Sequence, residues 1–286
     1  MGAVPEEVMQ RELDMAWQHV FTWGSYGITV AMLVWAFYLG RAHRTSFYVL
    51  ASLGVFIGAF AEPIYDVLFD LWFYDVHNGE GGAMYSHFTA FERVQPVWTH
   101  SGYLILYAGP VLYAGWKMYQ GLATPKFLFG IWGVEIVTSC VFEVIGTGTN
   151  VYTYYGPYEM RIWNYPLVIG VLEGTQTILF TVLAVNLWRR IKSGWGMASL
   201  LYAHPFTMFG TNVGIGAPLI VALHLDDEGG VTFASELVWV ATFLVYGLCA
   251  LAVLGATKFL PEPLDPAEEP TGRRRDAAPH RESVGV

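Results

Sequence analysis

The sequence predicts an all-α polytopic membrane protein: a bundle of seven transmembrane helices with its N-terminus outside and its C-terminus in the cytoplasm. Two facts of composition and one pattern of charge carry that reading. Hydrophobic residues make up 54% of the 286 and charged residues only 14%, short of the roughly 25% charge of a soluble domain. Apolar runs near 20 residues recur along the chain, the length that crosses the hydrocarbon core as a helix. They lack the two-residue alternation of an outer-membrane strand. The basic residues are dense in every second connection, which sets an orientation.

The expected spans are 19–40, 46–72, 96–119, 126–148, 164–188, 197–224 and 233–257. Residues 1–18 precede them as an extracytoplasmic segment, polar and acidic, without the basic start of a cleaved signal peptide. Arg41 and Arg44 lie at the connection of spans one and two, and Lys117 and Lys126 at that of three and four. Arg189, Arg190 and Lys192 lie between five and six, and Lys258, Arg273, Arg274, Arg275 and Arg281 follow span seven. The other side holds Arg11, Arg93 and Arg161, three of the 15 basic residues. The positive side is the cytoplasmic one, and the cell (plasma) membrane is the expected location. The membrane domain runs over 19–260; residues 261–286, Pro-rich and charged with no apolar period, are expected to form a disordered cytoplasmic tail.

Within the spans, Pro63 should kink span two, and Pro205 and Pro218 should bend span six. Gly210 and Gly214 have the small-xxx-small spacing that lets helices approach closely. Cys140 and Cys249 fall inside spans and read as small buried hydrophobes. The outer connection 73–95 is Gly-rich at 78–82 and then aromatic; that at 149–165 holds Tyr152, Tyr154, Tyr155, Tyr158, Trp163 and Tyr165. Rings at this depth predict an aromatic belt at the headgroups, or a lid over a pocket that opens outward.

The polar residues inside the membrane carry the functional expectation. Glu62, Asp66 and Asp70 recur every fourth residue of span two, so on a helix they fall within about an 80° stripe. Glu135 and Glu143 lie in span four and Glu173 in span five, and no Lys or Arg occupies the middle of any span. Low dielectric disfavours the charged form of a carboxyl without a cation, so these acids are expected to hold protons and to serve as hydrogen-bond donors and general acids. Tyr65, Trp98 and Tyr155 are expected to line the cavity, with His100 and Tyr103 on one face of span three and Asn212 in span six.

Three classes of chemistry compete for that pocket. An intramembrane cyclase or dehydratase would protonate a lipophilic substrate and shelter the cation on aromatic faces. A proton- or cation-coupled transporter would use the acids as a relay, although no internal repeat is evident. A metal-dependent hydrolase would need clustered histidines, whereas His100 and His204 stand apart with no HxxxH or HExxH motif. No basic stripe suits nucleic acid, and span seven has no central Lys for a retinal Schiff base. The expected partners are a lipophilic small-molecule substrate and the lipid bilayer, with no cofactor and no metal; nothing in the sequence sets an oligomeric state.

Three short stretches sharpen the choice. Glu62-Pro63-Ile64-Tyr65-Asp66, Arg93-Val94-Gln95-Pro96-Val97-Trp98 and Tyr152-Thr153-Tyr154-Tyr155-Gly156 resemble the AveC-type spirocyclase family of actinobacterial multi-span membrane proteins. The resemblance runs from span two to span five, roughly half the chain. It implies a cyclase of lipophilic substrates, the named member of that family closing a spiroketal in macrolide biosynthesis. On this reading Glu62 or Asp66 is the acid and Asp70, Glu143 or Glu173 receives the proton. A meroterpenoid-type membrane terpene cyclase is the nearest enzymatic alternative.

Overall fold

The computed structural model describes residues 4–75, 86–225 and 234–264. The glycine-rich stretch 78–82 and nearly all of the expected disordered tail lie outside the described residues. Five helices are long and apolar enough to cross a membrane: α1 (Met15–Ala42), α2 (Phe47–Leu68), α6 (Pro125–Gly148), α7 (Leu167–Ile191) and α10 (Ser235–Phe259). A sixth crossing is available if α8 (Trp195–Ile215) and α9 (Ala217–Leu223), bent by 57°, count as one. Pro218 opens α9 in its first turn, where the missing N–H would have been unpaired in any case.

The expected third span is not one helix. Residues 99–119 form three short helices in series, α3 (Thr99–Tyr107), α4 (Gly109–Tyr113) and α5 (Gly115–Tyr119). Pro110 removes a backbone donor and crowds the preceding turn, and glycines flank the breaks, so the local cause is in the sequence. Span two also departs from expectation. It passes through a single 3-10 turn at Ala59–Ala61, just before Pro63, and its last helical residue is Leu68.

Packing is arranged around α7. Its most apolar stretch is 83% buried, against 28% for α1 and α6. A helix that meets protein on nearly all sides can hide polar groups, and Glu173, Thr175, Gln176, Thr177 and Thr181 are all buried along α7. The outward faces of α6 and α10 expose Val134, Val137, Val141, Leu244 and Leu251, as a lipid-facing surface requires. Among the described residues, Gly210 and Gly214 do not mediate close packing: no atom lies within 4 Å of a Cβ built on Gly210, and only a backbone oxygen at 3.9 Å from one on Gly214. Gly54 and Gly58 of α2 have that role instead. A Cβ on Gly54 would lie 2.6 Å from the Leu200 carbonyl oxygen, and one on Gly58 would collide with His204 Nδ1.

The end of the bundle reached by the C-terminus of α2 and the C-terminus of α6 carries strands that the helical periodicity does not announce. β1 (Leu71–Phe73) pairs antiparallel with β4 (Tyr152–Tyr154), β2 (Ser86–Ala90) with β3 (Arg93–Pro96), and β5 (Arg161–Ile162) with β6 (Tyr165–Pro166). Tyr152, Tyr154 and Tyr165 of these ribbons, and Tyr158 between them, are buried, so they are no headgroup belt; Trp163 is 68% exposed. At the opposite end, Arg189 Nη1 donates to the Tyr119 and Glu262 carbonyls at 2.6 and 2.9 Å. Those bonds gather the ends of α5 and α7 and the segment after α10.

Candidate active site

The first half of the acid stripe is built by the short final helical segment of α2. Its single turn from 62 to 66 sets Glu62 and Asp66 on the inward face, and both are buried. Glu62 accepts a hydrogen bond from the Tyr103 hydroxyl of α3. Asp66 Oδ2 accepts from Gln95 Nε2 of β3 at 2.6 Å, and its Oδ1 has no partner among the described residues.

Asp70 leaves the stripe. The helix has ended, Asp70 takes a left-handed φ of 50°, and its buried carboxylate turns away from Glu62 and Asp66 to lie 3.3 Å from His224 Nε2. Burial pushes the Asp70 carboxyl above the usual range, opposed by His224, by a hydrogen bond from Tyr155 and by the charge of Arg93. Tyr155 belongs to the same cluster. Its hydroxyl accepts from Arg93 Nη2 at 3.0 Å, and burial, with Asp70 beside it, raises it to about 12.

One buried cavity gathers three acids from three helices: Glu62 of α2, Glu143 of α6 and Glu173 of α7. Glu173 accepts from Tyr107 at 3.2 Å and Tyr165 at 3.4 Å, and also from the Ser139 hydroxyl. Glu143 accepts from Tyr154 at 3.2 Å. The walls are Tyr65, Leu71, Phe73, Trp98, Tyr103, Leu106, Tyr107, Phe142, Tyr152 and Tyr154. The free volume, about 30 Å³, holds one or two waters.

A second, apolar crevice of about 220 Å³ adjoins it, lined by Trp17, Val20, Phe21, Ile28, Ile105, Phe142 and Ile145. Phe142 belongs to both. Phe21 packs 5.0 Å from Trp98 and 5.1 Å from Phe142, ring centre to ring centre. Val20 and Ile28 are exposed, so the crevice faces the lipid side of the bundle.

Of the expected pocket residues, Tyr65, Trp98 and Tyr103 line the acid cavity, and His100, Tyr155 and Asn212 do not. His100 Nδ1 lies 3.2 Å from His87 Nε2, beside a separate groove lined by Phe56, Phe60 and Tyr26. Asn212, in a π-helical turn at Phe209–Ile215, donates to Gln176 Oε1 at 2.5 Å, and Gln176 Nε2 meets His204 Nε2 at 2.9 Å. Glu135 accepts from Tyr113 at 2.7 Å, apart from the other acids. Among the described residues, no group of three or more His, Cys, Asp or Glu is placed to hold a metal ion.

Sequence reasoning missed Arg93. Placed in an outer loop by charge counting, it is buried, lies 5.1 Å over the Trp72 ring and reaches Tyr155. Its flanking pattern Val94-Gln95-Pro96-Val97-Trp98, alternating and Pro-limited, was the available sign that this stretch folds inward as a strand. Ser139, which bonds Glu173, was equally unmarked, and Tyr165 was read only as one ring of the 149–165 connection. No family model, curated protein or solved structure matches this chain.

Proposed function

We propose that this protein is an intramembrane acid–base catalyst, a cyclase of the spiroketal-forming or dehydrative type acting on a lipophilic polyketide- or terpenoid-like substrate. In this reading it sits in the cell membrane as seven crossings, α3–α5 in series supplying the third and α8–α9 the sixth, with the C-terminus in the cytoplasm. The observation that carries the reading is the convergence of Glu62, Glu143 and Glu173 on one aromatic-walled cavity. An ionised carboxylate at a helix centre costs roughly 2.5–3.5 kcal/mol on insertion scales. Three around one cavity without a lining cation are better accommodated holding protons, and so able to donate them.

The chemistry balances with the substrate alone. A glutamic acid protonates a ketone oxygen, and one substrate hydroxyl adds to the carbonyl carbon and gives its own proton back to the glutamate, leaving a hemiketal. Protonation of the hemiketal hydroxyl releases water and leaves an oxocarbenium ion, sheltered by the faces of Tyr65, Trp98 and Tyr107. The second hydroxyl closes on that carbon, and its proton returns to a glutamate. The same acids would start a terpenoid closure by protonating an olefin or epoxide.

The apolar crevice behind Phe21 and Phe142 supports a lipophilic substrate, since it offers a path from the bilayer to the acids when those rings part. The three stretches that resemble AveC-type spirocyclases also contact one another: Gln95 bonds Asp66, and Arg93 bonds Tyr155. The test is conversion of a linear dihydroxyketone or a prenylated acceptor by purified protein in detergent, without a gradient. Turnover should fall by about 10²–10⁴-fold in Glu62→Gln, Glu143→Gln or Glu173→Gln; conversion that survives all three changes defeats the proposal.

One observation favours a second reading. The cavity is water-sized, and Tyr103 and Tyr107, with ring centres 5.1 Å apart, stand between Glu62 and Glu173. That arrangement suits a proton relay in a coupled transporter. Proton-linked flux in reconstituted vesicles, without conversion of the solute, would select it.

A further inference from the structure

Five tyrosines line the acid cavity, and four of their hydroxyls are engaged with its glutamates. Tyr103 donates to Glu62, Tyr107 to Glu173 and Tyr154 to Glu143. Tyr152 makes no full hydrogen bond but lies against Glu143. The other polar side chains of the wall turn their protons elsewhere: Trp98 Nε1 donates to Gln18 Oε1 at 2.9 Å, and Thr99 Oγ1 to the Pro96 carbonyl at 2.8 Å. Tyr65 alone is uncommitted. Its hydroxyl is buried and has no partner among the described residues. We propose that the Tyr65 hydroxyl binds a hydroxyl of the substrate, the one that attacks the carbonyl carbon. The identity of that ligand rests on the cyclase reading.

Buried polar side chains are hydrogen-bonded in the large majority of cases, and an exception needs a physical reason. Position supplies one. Tyr65 stands on the final helical segment of α2, three residues past Glu62. The carboxyls of Glu173, Glu143 and Glu62 all act electrostatically on its hydroxyl. Its ring packs 4.6 Å from that of Phe69, centre to centre, which restricts where the hydroxyl can swing. The free volume beside it takes a hydroxyl group where it takes a water.

A phenol suits an alcohol better than it suits the ketone. Free phenols have a pKa of about 10 and free glutamic acids of about 4.3, so the glutamic acids are the groups that protonate the ketone. Tyr65 keeps its proton. Its O–H donates to one lone pair of the substrate hydroxyl oxygen, and another lone pair attacks the carbonyl carbon. The proton of the substrate hydroxyl passes to a glutamate, and Tyr65 ends as it began.

Two measurements on the full chain in detergent test this assignment. The first needs no ligand. A phenol with a partner loses a bond when changed to Phe, whereas one without a partner sheds only a cost of desolvation. Tyr65→Phe should therefore unfold at or above the wild-type midpoint, and Tyr103→Phe below it. The second uses a long-chain diol with a methylene in place of the ketone, which binds but cannot react. By equilibrium dialysis its dissociation constant should rise about fivefold in Tyr65→Phe, the loss of one neutral hydrogen bond. It should be unchanged in Tyr113→Phe, whose hydroxyl bonds Glu135 away from the cavity. A Tyr65→Phe midpoint that falls as far as that of Tyr103→Phe overturns the proposal. So does a diol that fails to bind the wild type, binds Tyr65→Phe equally well, or is weakened as much by Tyr113→Phe. The cyclase reading fails separately: a wild type that binds the diol through Tyr65 yet leaves the linear dihydroxyketone unconverted defeats that reading and keeps this site.

Discussion

Glu173 receives hydroxyl donors from Ser139, Tyr107 and Tyr165, and that environment makes a Gln substitution informative beyond catalysis. An amide trades one acceptor oxygen for an NH₂ and sets it against hydroxyls already pointing inward. Glu173→Gln should therefore lower stability by about 1–3 kcal/mol, read by thermal or denaturant unfolding; an unchanged midpoint would mean the hydroxyls turn to other acceptors. Asp70 supplies a pH test. Burial raises its carboxyl, so the folded chain holds that proton more tightly than the unfolded one. The stability this lends is complete below the ordinary carboxylate value, about 4, and is lost as pH rises through the higher folded value. Asp70→Asn should flatten stability against pH across that window, and an unaltered slope would place the titrating group elsewhere. The sequence marked both residues as intramembrane acids, but placed Asp70 on the stripe. Its departure depends on β1 pairing with β4, about eighty residues on, which a local period does not contain.

At the scale of elements, the α2–α8 contact is a demanding close approach, and Gly58 within it and Gly210 outside it make a matched pair of tests. Gly58→Ala would drive a Cβ into the His204 ring, and overpacking of this kind costs about 1–3 kcal/mol. Gly210→Ala meets open space, so it should be neutral or gain up to about 1 kcal/mol from helix propensity. Thermal unfolding of the two variants side by side checks the assignment; equal effects would contradict it. The small-xxx-small spacing of Gly210 and Gly214 pointed the other way, because spacing records which glycines share a face and not whether a neighbour is there. The five long helices were legible from apolar length alone. The breaks in the expected third span were half legible, since Gly109-Pro110 is a recognised interruption within an otherwise apolar run. The three two-stranded ribbons were not: strands of two to five residues carry too little alternation to be seen.

For the whole molecule, composition and charge asymmetry identified a helical membrane protein, because hydrocarbon imposes length and helicity on any chain that crosses it. The candidate site was legible as a set and not as a geometry. Glu62, Glu143 and Glu173 meet at one cavity, Asp66 is bound to Gln95 beside it, and Asp70 and Glu135 serve elsewhere. Residue type marked all six; only packing against α7 sorts them. The central claim is that the three cavity glutamates hold protons at neutral pH, and infrared spectroscopy of the carboxyl C=O stretch measures it without a substrate. The account predicts a protonated-carboxyl band near neutral pH that diminishes in Glu62→Gln, in Glu143→Gln and in Glu173→Gln. A spectrum showing carboxylate alone, or a protonated band untouched by all three changes, would contradict it.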